Sequence, residues 1–310
     1  MKRSFVLFLV FVLLSFSACG ADTGTPSSSP PSSSPPSLPP DPDLPTATLV
    51  SYDYLANEAM KPMRQDVYAE KDGYSLPLNL YAPSVDNANA DTAVLCIHGG
   101  GWSSNLTKDG EWDGNWMRHQ ARYYSLLGFW GLEVTYRGFG GGVSLSDIFE
   151  DVADAVRYVK TELYTELGIE RLIVIGDSAG GHLALCLALT EDASLHPDGV
   201  IACNPVSDFS HRFTSYITSG EQATLSPMHL AESAVTDTKI LLMHGDADTV
   251  VPYTDSQLLL GKLTAAGNDA ALSTVAGGAH AFILYGYEAT PHDIDIAMKR
   301  TVEFIYSLYE

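Results

Sequence analysis

One serine stands in a setting suited to nucleophilic attack. Gly176-Asp177-Ser178-Ala179-Gly180 follows the apolar run Leu172–Ile175 and opens a second one, Ala179–Thr190. The first run reads as a buried strand, the second as a helix apolar on nearly every face. A sharp strand-to-helix turn needs small neighbours, because side chains there clash with a tight backbone. Such a turn lifts the Ser178 hydroxyl above a sheet edge, at the start of a helix. The helix dipole there favours developing negative charge. The chemistry implied is attack on a carbonyl carbon. The competing reading is a chance match of three fixed residues. The strand before, the helix after and Gly181 behind argue against it.

A second constellation suits that chemistry. His98-Gly99-Gly100-Gly101-Trp102 follows the apolar run Ala93–Ile97. Consecutive glycines free the backbone and let its N–H groups approach a bound oxygen closely. Donors of that kind hold the oxyanion of a tetrahedral intermediate. Gly100 and Gly101 are expected in this role, with the N–H of Ala179. Which glycine of 99–101 points inward is open at this stage. A phosphate loop is the alternative, but the spacing matches neither the P-loop nor the dinucleotide fingerprint.

Together these two motifs resemble the α/β-hydrolase superfamily. The branch they look like holds hormone-sensitive-lipase-like esterases and small carbohydrate esterases related to feruloyl and acetyl-xylan esterases. The resemblance covers about residues 60–310. It implies a mostly parallel sheet with helices on both faces and a triad in the chain order Ser, Asp or Glu, His. His244-Gly245-Asp246-Ala247-Asp248 and Val251-Pro252 resemble the family's acid loop, which implies Asp248 as the acid. Asp246 is the rival. The base is expected after the last strand, at His280 within Gly277-Gly278-Ala279-His280-Ala281-Phe282. His292, beside Asp293 at a helix start, is the runner-up. His98 is expected to support its loop. His119, His182, His196, His211 and His229 read as structural or surface residues, with His182 facing the core or a neighbouring loop. The mechanism implied needs neither metal nor cofactor.

Positioning these residues requires a particular order of elements. Met63–Tyr81 reads as a hairpin turning at Lys71-Asp72-Gly73. Strands are expected at Ala93–Ile97, Phe129–Tyr136, Leu172–Ile175, Gly199–Cys203, Ile240–Met243 and Ala271–Val275. Helices are expected at Asn115–Leu127, from Ser144 through Val159, at Ala179–Thr190, Ser256–Ala266 and Ile294–Tyr309. Ser144 and Asp147 form a capping box. Strands alternating with helices mean a parallel sheet covered on both faces, with the hairpin antiparallel at one edge. Asp208–Val235 breaks the rhythm and is polar, so a short cap is expected there.

The chain has 310 residues, 45% hydrophobic, with a formal charge of −21. Acidity of that size argues against nucleic acid as a partner. Residues 1–18 have the pattern of an export signal: Lys2 and Arg3, then an apolar run from Phe5 to Phe16. Ser17-Ala18-Cys19-Gly20 resembles a bacterial lipobox, which implies a lipid on Cys19 and a membrane anchor. Phe16 stands where that pattern usually has Leu, so simple secretion is the other reading. Residues 19–47 are a Ser/Pro-rich linker, and residues 48–310 are the catalytic domain. Cys96, Cys186 and Cys203 sit in apolar runs and read as buried free thiols. No Cys/His spacing resembles a zinc site.

The expected substrate is a carboxylic ester. An exported enzyme on a stalk meets polymers, so short-acyl or feruloyl esters of carbohydrates lead, acetyl ahead of feruloyl. Trp102 is expected to line the site. Trp112, Trp116, Tyr123 and Tyr124 offer further aromatics at its mouth, although Tyr123 and Tyr124 equally suit packing against the sheet. Two rival functions stand: a serine peptidase of prolyl-oligopeptidase type, and a non-catalytic binding lipoprotein. The chain is too short for the former's propeller.

Overall fold

The computed structural model describes residues 61–84, 89–104, 106, 117–209, 217–284 and 289–309. The expected export signal, Cys19, the expected linker, Trp112, Trp116 and His211 lie outside the described residues.

The hairpin forms as its turn chemistry requires. β1 (Arg64–Lys71) and β2 (Tyr74–Tyr81) pair antiparallel. Asp72 and Gly73 turn between them with φ of 52° and 79°, a conformation Gly and Asp tolerate best. The remaining strands are β3 (Thr92–Ile97), β4 (Trp130–Val134), β5 (Arg171–Asp177), β6 (Gly199–Cys203), β7 (Lys239–Gly245) and β8 (Ala270–Val275). They join one eight-stranded sheet in the order β1-β2-β4-β3-β5-β6-β7-β8. β2 pairs antiparallel with β4, and every pairing from β4 to β8 is parallel. This is the α/β-hydrolase fold.

Strand periodicity divides the core into two layers. Leu95 and Ile97 of β3 face one side of the sheet, Val94 and Cys96 the other. On the first side lie α2 (Leu145–Tyr158), α4 (Ala179–Leu189) and α7 (Tyr253–Ala265). On the second lie α1 (Arg118–Leu126) and α8 (Pro291–Tyr306). All eleven residues of α4 are buried, as its apolar composition implies. Cys96, Cys186 and Cys203 are buried free thiols.

The capping box of Ser144 and Asp147 starts α2. After Tyr158 the chain winds through a π-helical turn, Val159–Leu163, into α3 (Tyr164–Leu167), which apolar spacing alone does not reveal. The expected cap contains α5 (Ser219–Leu225) and α6 (Pro227–Leu230). Thr218 and Glu221 close a capping box on α5, as Thr290 and Asp293 do on α8. Both boxes were readable as Thr-x-x-Glu and Thr-x-x-Asp. The expectation of α8 starting at Ile294 is corrected by the second: the capped helix begins three residues earlier.

Of the two readings open for Tyr123 and Tyr124, the structure shows packing against the sheet. Both are buried in the second core layer, and Tyr124 Oη donates to Thr301 Oγ1 at 2.9 Å. They face the sheet because α1 lies directly on β4. A Cβ added at Gly131 would fall 1.9 Å from the Ala121 carbonyl oxygen. That contact is backbone on backbone, so no side-chain rotation relieves it. Gly131→Ala is therefore expected to destabilise the domain by about 3 kcal/mol, lowering Tm by roughly 6–12 °C. Thermal unfolding of the two proteins checks this. An unchanged Tm would mean that α1 is not seated on β4 as described.

Candidate active site

The turn between β5 and α4 carries Ser178 at φ 53° and ψ −113°. Non-glycine residues avoid this region, so neighbouring structure must hold it. The hold is close backbone packing. A Cβ on Gly176 would sit 2.2 Å from Gly180 O, and one on Gly180 would sit 2.1 Å from Ile97 O. The Ser178 N–H donates to Cys203 O at 2.9 Å, pinning the turn to β6. The small residues of the motif are thus steric necessities.

His280 arrives from the loop after β8. Its Nε2 lies 3.0 Å from Ser178 Oγ, and its Nδ1 lies 2.7 Å from Asp248 Oδ2. An ionised carboxylate only accepts, so Nδ1 carries the proton and donates to Asp248. Nε2 of the neutral ring is then the acceptor facing the Ser178 hydroxyl. Residues 178, 248 and 280, far apart in sequence, form one unbroken hydrogen-bonded line at the carboxyl ends of β5, β7 and β8.

Asp248 is held from several sides. Its Oδ1 accepts from the N–H groups of Val250 and Val251 at 2.7 and 2.9 Å. His244 Nε2 stands 3.2 Å from Oδ2. Burial pushes the Asp248 carboxyl upward, but hydrogen bonds from His244, His280 and the Val251 N–H outweigh it and hold the group ionised, below the usual carboxylate range. Burial opposes charge on His280, yet Asp248 and the carboxylate of Asp177 raise its pKa above the ordinary imidazole value. Asp246 points elsewhere: its Oδ1 accepts from Gly277 N–H at 2.6 Å and ties the two loops together. His292 is exposed on α8.

Two supports of the site had no role assigned from sequence. His244 Nδ1 is 2.7 Å from Ser256 Oγ, which orients the ring toward Asp248. Asp177 is buried beside Ser178 and accepts from Asn204 Nδ2 at 2.7 Å. Burial pushes the Asp177 carboxyl up to about 6, against the pull of His280 and Asn204. Asn204 itself is recognisable only in three dimensions, through its positive φ of 35° at the end of β6.

The glycine loop touches the nucleophile turn. A Cβ on Gly99 would fall 3.1 Å from Ser178 Cβ and 2.7 Å from Asp177 O. Gly100 and Gly101 follow with φ of 93° and 62°. His98 stacks on Tyr136 with centroids 4.1 Å apart, and Tyr136 Oη donates to His98 O at 2.8 Å. Burial lowers the His98 pKa to about 4, so the ring is neutral and supports the loop. Trp102 is only 5% exposed. Its indole N–H donates to His182 Nδ1 at 3.2 Å, so His182 Nε2–H donates in turn to Leu225 O at 2.7 Å. His182 therefore joins the glycine loop, α4 and the cap.

Comparison with known proteins agrees with this geometry. The BD-FAE family model matches residues 78–219. The non-reducing polyketide synthase pkbA of Emericella nidulans is 28% identical over 224 residues, 68% of this chain. The ethyl acetate hydrolase of Pseudomonas putida is 34% identical over 123 residues, 38% of this chain. The chain spans only 8% of the former and 36% of the latter. The propionate-bound structure of Thermogutta terrifontis esterase Est2 superposes with a TM-score of 0.65 at 27% identity, covering 80% of this chain and 96% of that one. The chain has the α/β-hydrolase fold and is similar, in sequence and in structure, to esterases of that fold.

Proposed function

We propose that the chain is a serine carboxylic ester hydrolase working through an acyl-enzyme. The observation that carries this reading is the hydrogen-bonded line from Ser178 Oγ through His280 to Asp248. His280 takes the Ser178 proton as the hydroxyl attacks the ester carbonyl. Asp248 holds the tautomer and stabilises the imidazolium that forms. Backbone N–H groups of Gly100, Gly101 and Ala179 receive the oxyanion, each worth roughly 10²–10³ in rate. Helix geometry favours Ala179, whose N–H has no acceptor within its own helix. His280 then gives its proton to the leaving alcohol. Water repeats the cycle on the acyl-enzyme. Trp102 contributes mainly by backing the glycine loop, and meets substrate only through its small exposed edge.

Short acyl groups fit best. Among the described residues the cap helices are only seven and four residues long, a small roof for a long chain. One relative is named for hydrolysis of ethyl acetate, and the Est2 structure holds propionate. The proposed setting is outside the cell, with Cys19 lipidated and residues 19–47 as a stalk. Acetyl or feruloyl esters of carbohydrates are the substrates such a setting offers.

Activity should peak on nitrophenyl esters with acyl chains of about four carbons or fewer. A fluorophosphonate probe should label the wild type and not Ser178→Ala. Peak activity on long chains would remove the short-acyl assignment. Label surviving Ser178→Ala would remove the nucleophile. Cleavage of proline peptides in place of nitrophenyl acetate would indicate a peptidase.

The pH dependence has a definite sign. His280 acts as a base only when neutral, and its pKa is raised. Hence kcat/KM should fall as pH drops through a value above the ordinary imidazole range. Asp248→Asn removes the raising partner, so the acid limb should move to lower pH while kcat falls about 10⁴-fold. A pH–rate profile of both proteins checks this, and an unmoved limb would detach Asp248 from His280.

A further inference from the structure

The carboxyl edge of the sheet holds a second concavity that the hydrolytic machinery does not use. It encloses about 500 Å³, within the range of small-molecule sites. Its walls come from the β1–β2 turn, the segment after the glycine loop and the loop after β4. β4 ends at this edge, and β2, antiparallel to it, begins here. Sheets of this kind bind ligands outside the carboxyl ends of their parallel strands. The cavity therefore shares its edge with Ser178, on the far side of the glycine loop.

The lining has a specific chemistry. Tyr74 and Phe139 supply aromatic rings, and Ser103 and Ser104 supply hydroxyls. Gly140, Gly141 and Gly142 all have positive φ, and Cβ atoms on them would meet nothing within 4 Å. Gly140 and Val143 exchange both backbone hydrogen bonds at 3.0 Å, forming a tight turn. That turn explains Gly141 and Gly142. It also leaves the peptide groups of its tip bare toward the cavity, without side chains to shield them.

Charge narrows the ligand further. Arg137 is the cation in the wall, and it is already committed. Its Nε and Nη2 donate to Asp151 at 2.8 and 2.7 Å, and Nη1 also pairs with Asp72. Asp72 is 73% exposed, on a chain carrying −21. An anionic ligand would meet the Asp72 carboxylate, while Arg137, the cation among the described lining residues, is already paired. Aromatic rings, hydroxyls and bare peptide groups without net positive charge suit a neutral, hydroxyl-rich ring.

Distance connects the cavity to the ester. β3 lies between β4 and β5, so the two strand ends stand about 10 Å apart at the usual strand spacing. Ser103 N–H donates to Gly100 O at 3.1 Å, which keeps the cavity wall within one turn of the glycines beside Ser178. A short run of linked sugar rings spans such a gap.

We propose that this cavity is a glycan subsite that holds a neutral sugar ring of an oligosaccharide whose esterified ring lies at Ser178. The proposal rests on the esterase reading above and names its alcohol-side specificity. Tyr74 is the residue assigned to stack on the ring. It belongs to β2 and lies outside the hydrolytic machinery.

The test compares acetylated xylotetraose with p-nitrophenyl acetate, which is too small to reach the cavity. Tyr74→Ala should raise KM for the oligosaccharide about three- to tenfold and leave kcat/KM for the nitrophenyl ester within about twofold. Calorimetry supplies a second reading that needs neither turnover nor that variant. Unacetylated xylotetraose should bind the wild type, and tetragalacturonate should bind more weakly. Equal effects of Tyr74→Ala on both esters would overturn the subsite. So would absent xylotetraose binding, or tighter binding of the anionic tetramer. A wild type inactive on p-nitrophenyl acetate would sink the esterase reading instead, and the calorimetric arm would still read the cavity.

Discussion

Everything at the carboxyl edge depends on backbone meeting backbone without side chains between. Gly180 lies so close to β3 that a methyl group would land 2.1 Å from the Ile97 carbonyl oxygen. Gly245 stands in the same relation to Gly278, at 2.1 Å, and Gly99 to Asp177, at 2.7 Å. These contacts join the strand carrying Ser178 to the glycine loop, and the loop carrying Asp248 to the one carrying His280. Interior packing is dense and transmits displacement. A methyl at any of the three would move one loop against another. The 2.7 and 3.0 Å bonds through His280 are set by this crowding as much as by the residues that make them.

Electrostatics then decide what the line of hydrogen bonds can do. Two carboxylates, Asp248 and Asp177, flank one imidazole in a largely buried setting. Their environments differ. Asp248 is surrounded by donors, two backbone N–H groups and two histidines, and stays ionised. Asp177 accepts from Asn204 and is pushed up to about 6 by burial. Opposed environments for two nearby acids separate their roles. One carboxylate bonds directly to His280, and the other adds a field without touching it.

Much of this was legible in the sequence, and the reason is physical. Gly176, Ser178 and Gly180 are recognisable because one steric problem, a tight turn between strand and helix, has few solutions. The parallel core strands are recognisable because burial on both faces makes them continuously apolar. Periodicity fails where it has no grip. The π-helical turn at Val159–Leu163 keeps a helical apolar pattern, and the cap helices are too short to show one. Tyr123 and Tyr124 stayed open between two readings because an aromatic ring suits a core and a binding site equally. Asn204 and the supporting role of His244 depend on which elements are neighbours, information held in the sheet order and not in local spacing.

The cap is not an independent lid resting on a finished site. His182 receives from Trp102 and donates to Leu225, so one neutral ring links the glycine loop to the end of α5. Its pKa, lowered to about 4 by burial, keeps both bonds in one direction above that pH. Glu221, which caps α5, also accepts from the Ser146 N–H of α2 at 3.1 Å. The cap is thus fastened at both ends of its longer helix, to two elements that the sheet already holds. A small roof fastened in this way has little freedom to swing. With α5 tied to the glycine loop through His182 and to α2 through Glu221, the described part of the cap belongs to the same packed unit as the carboxyl edge.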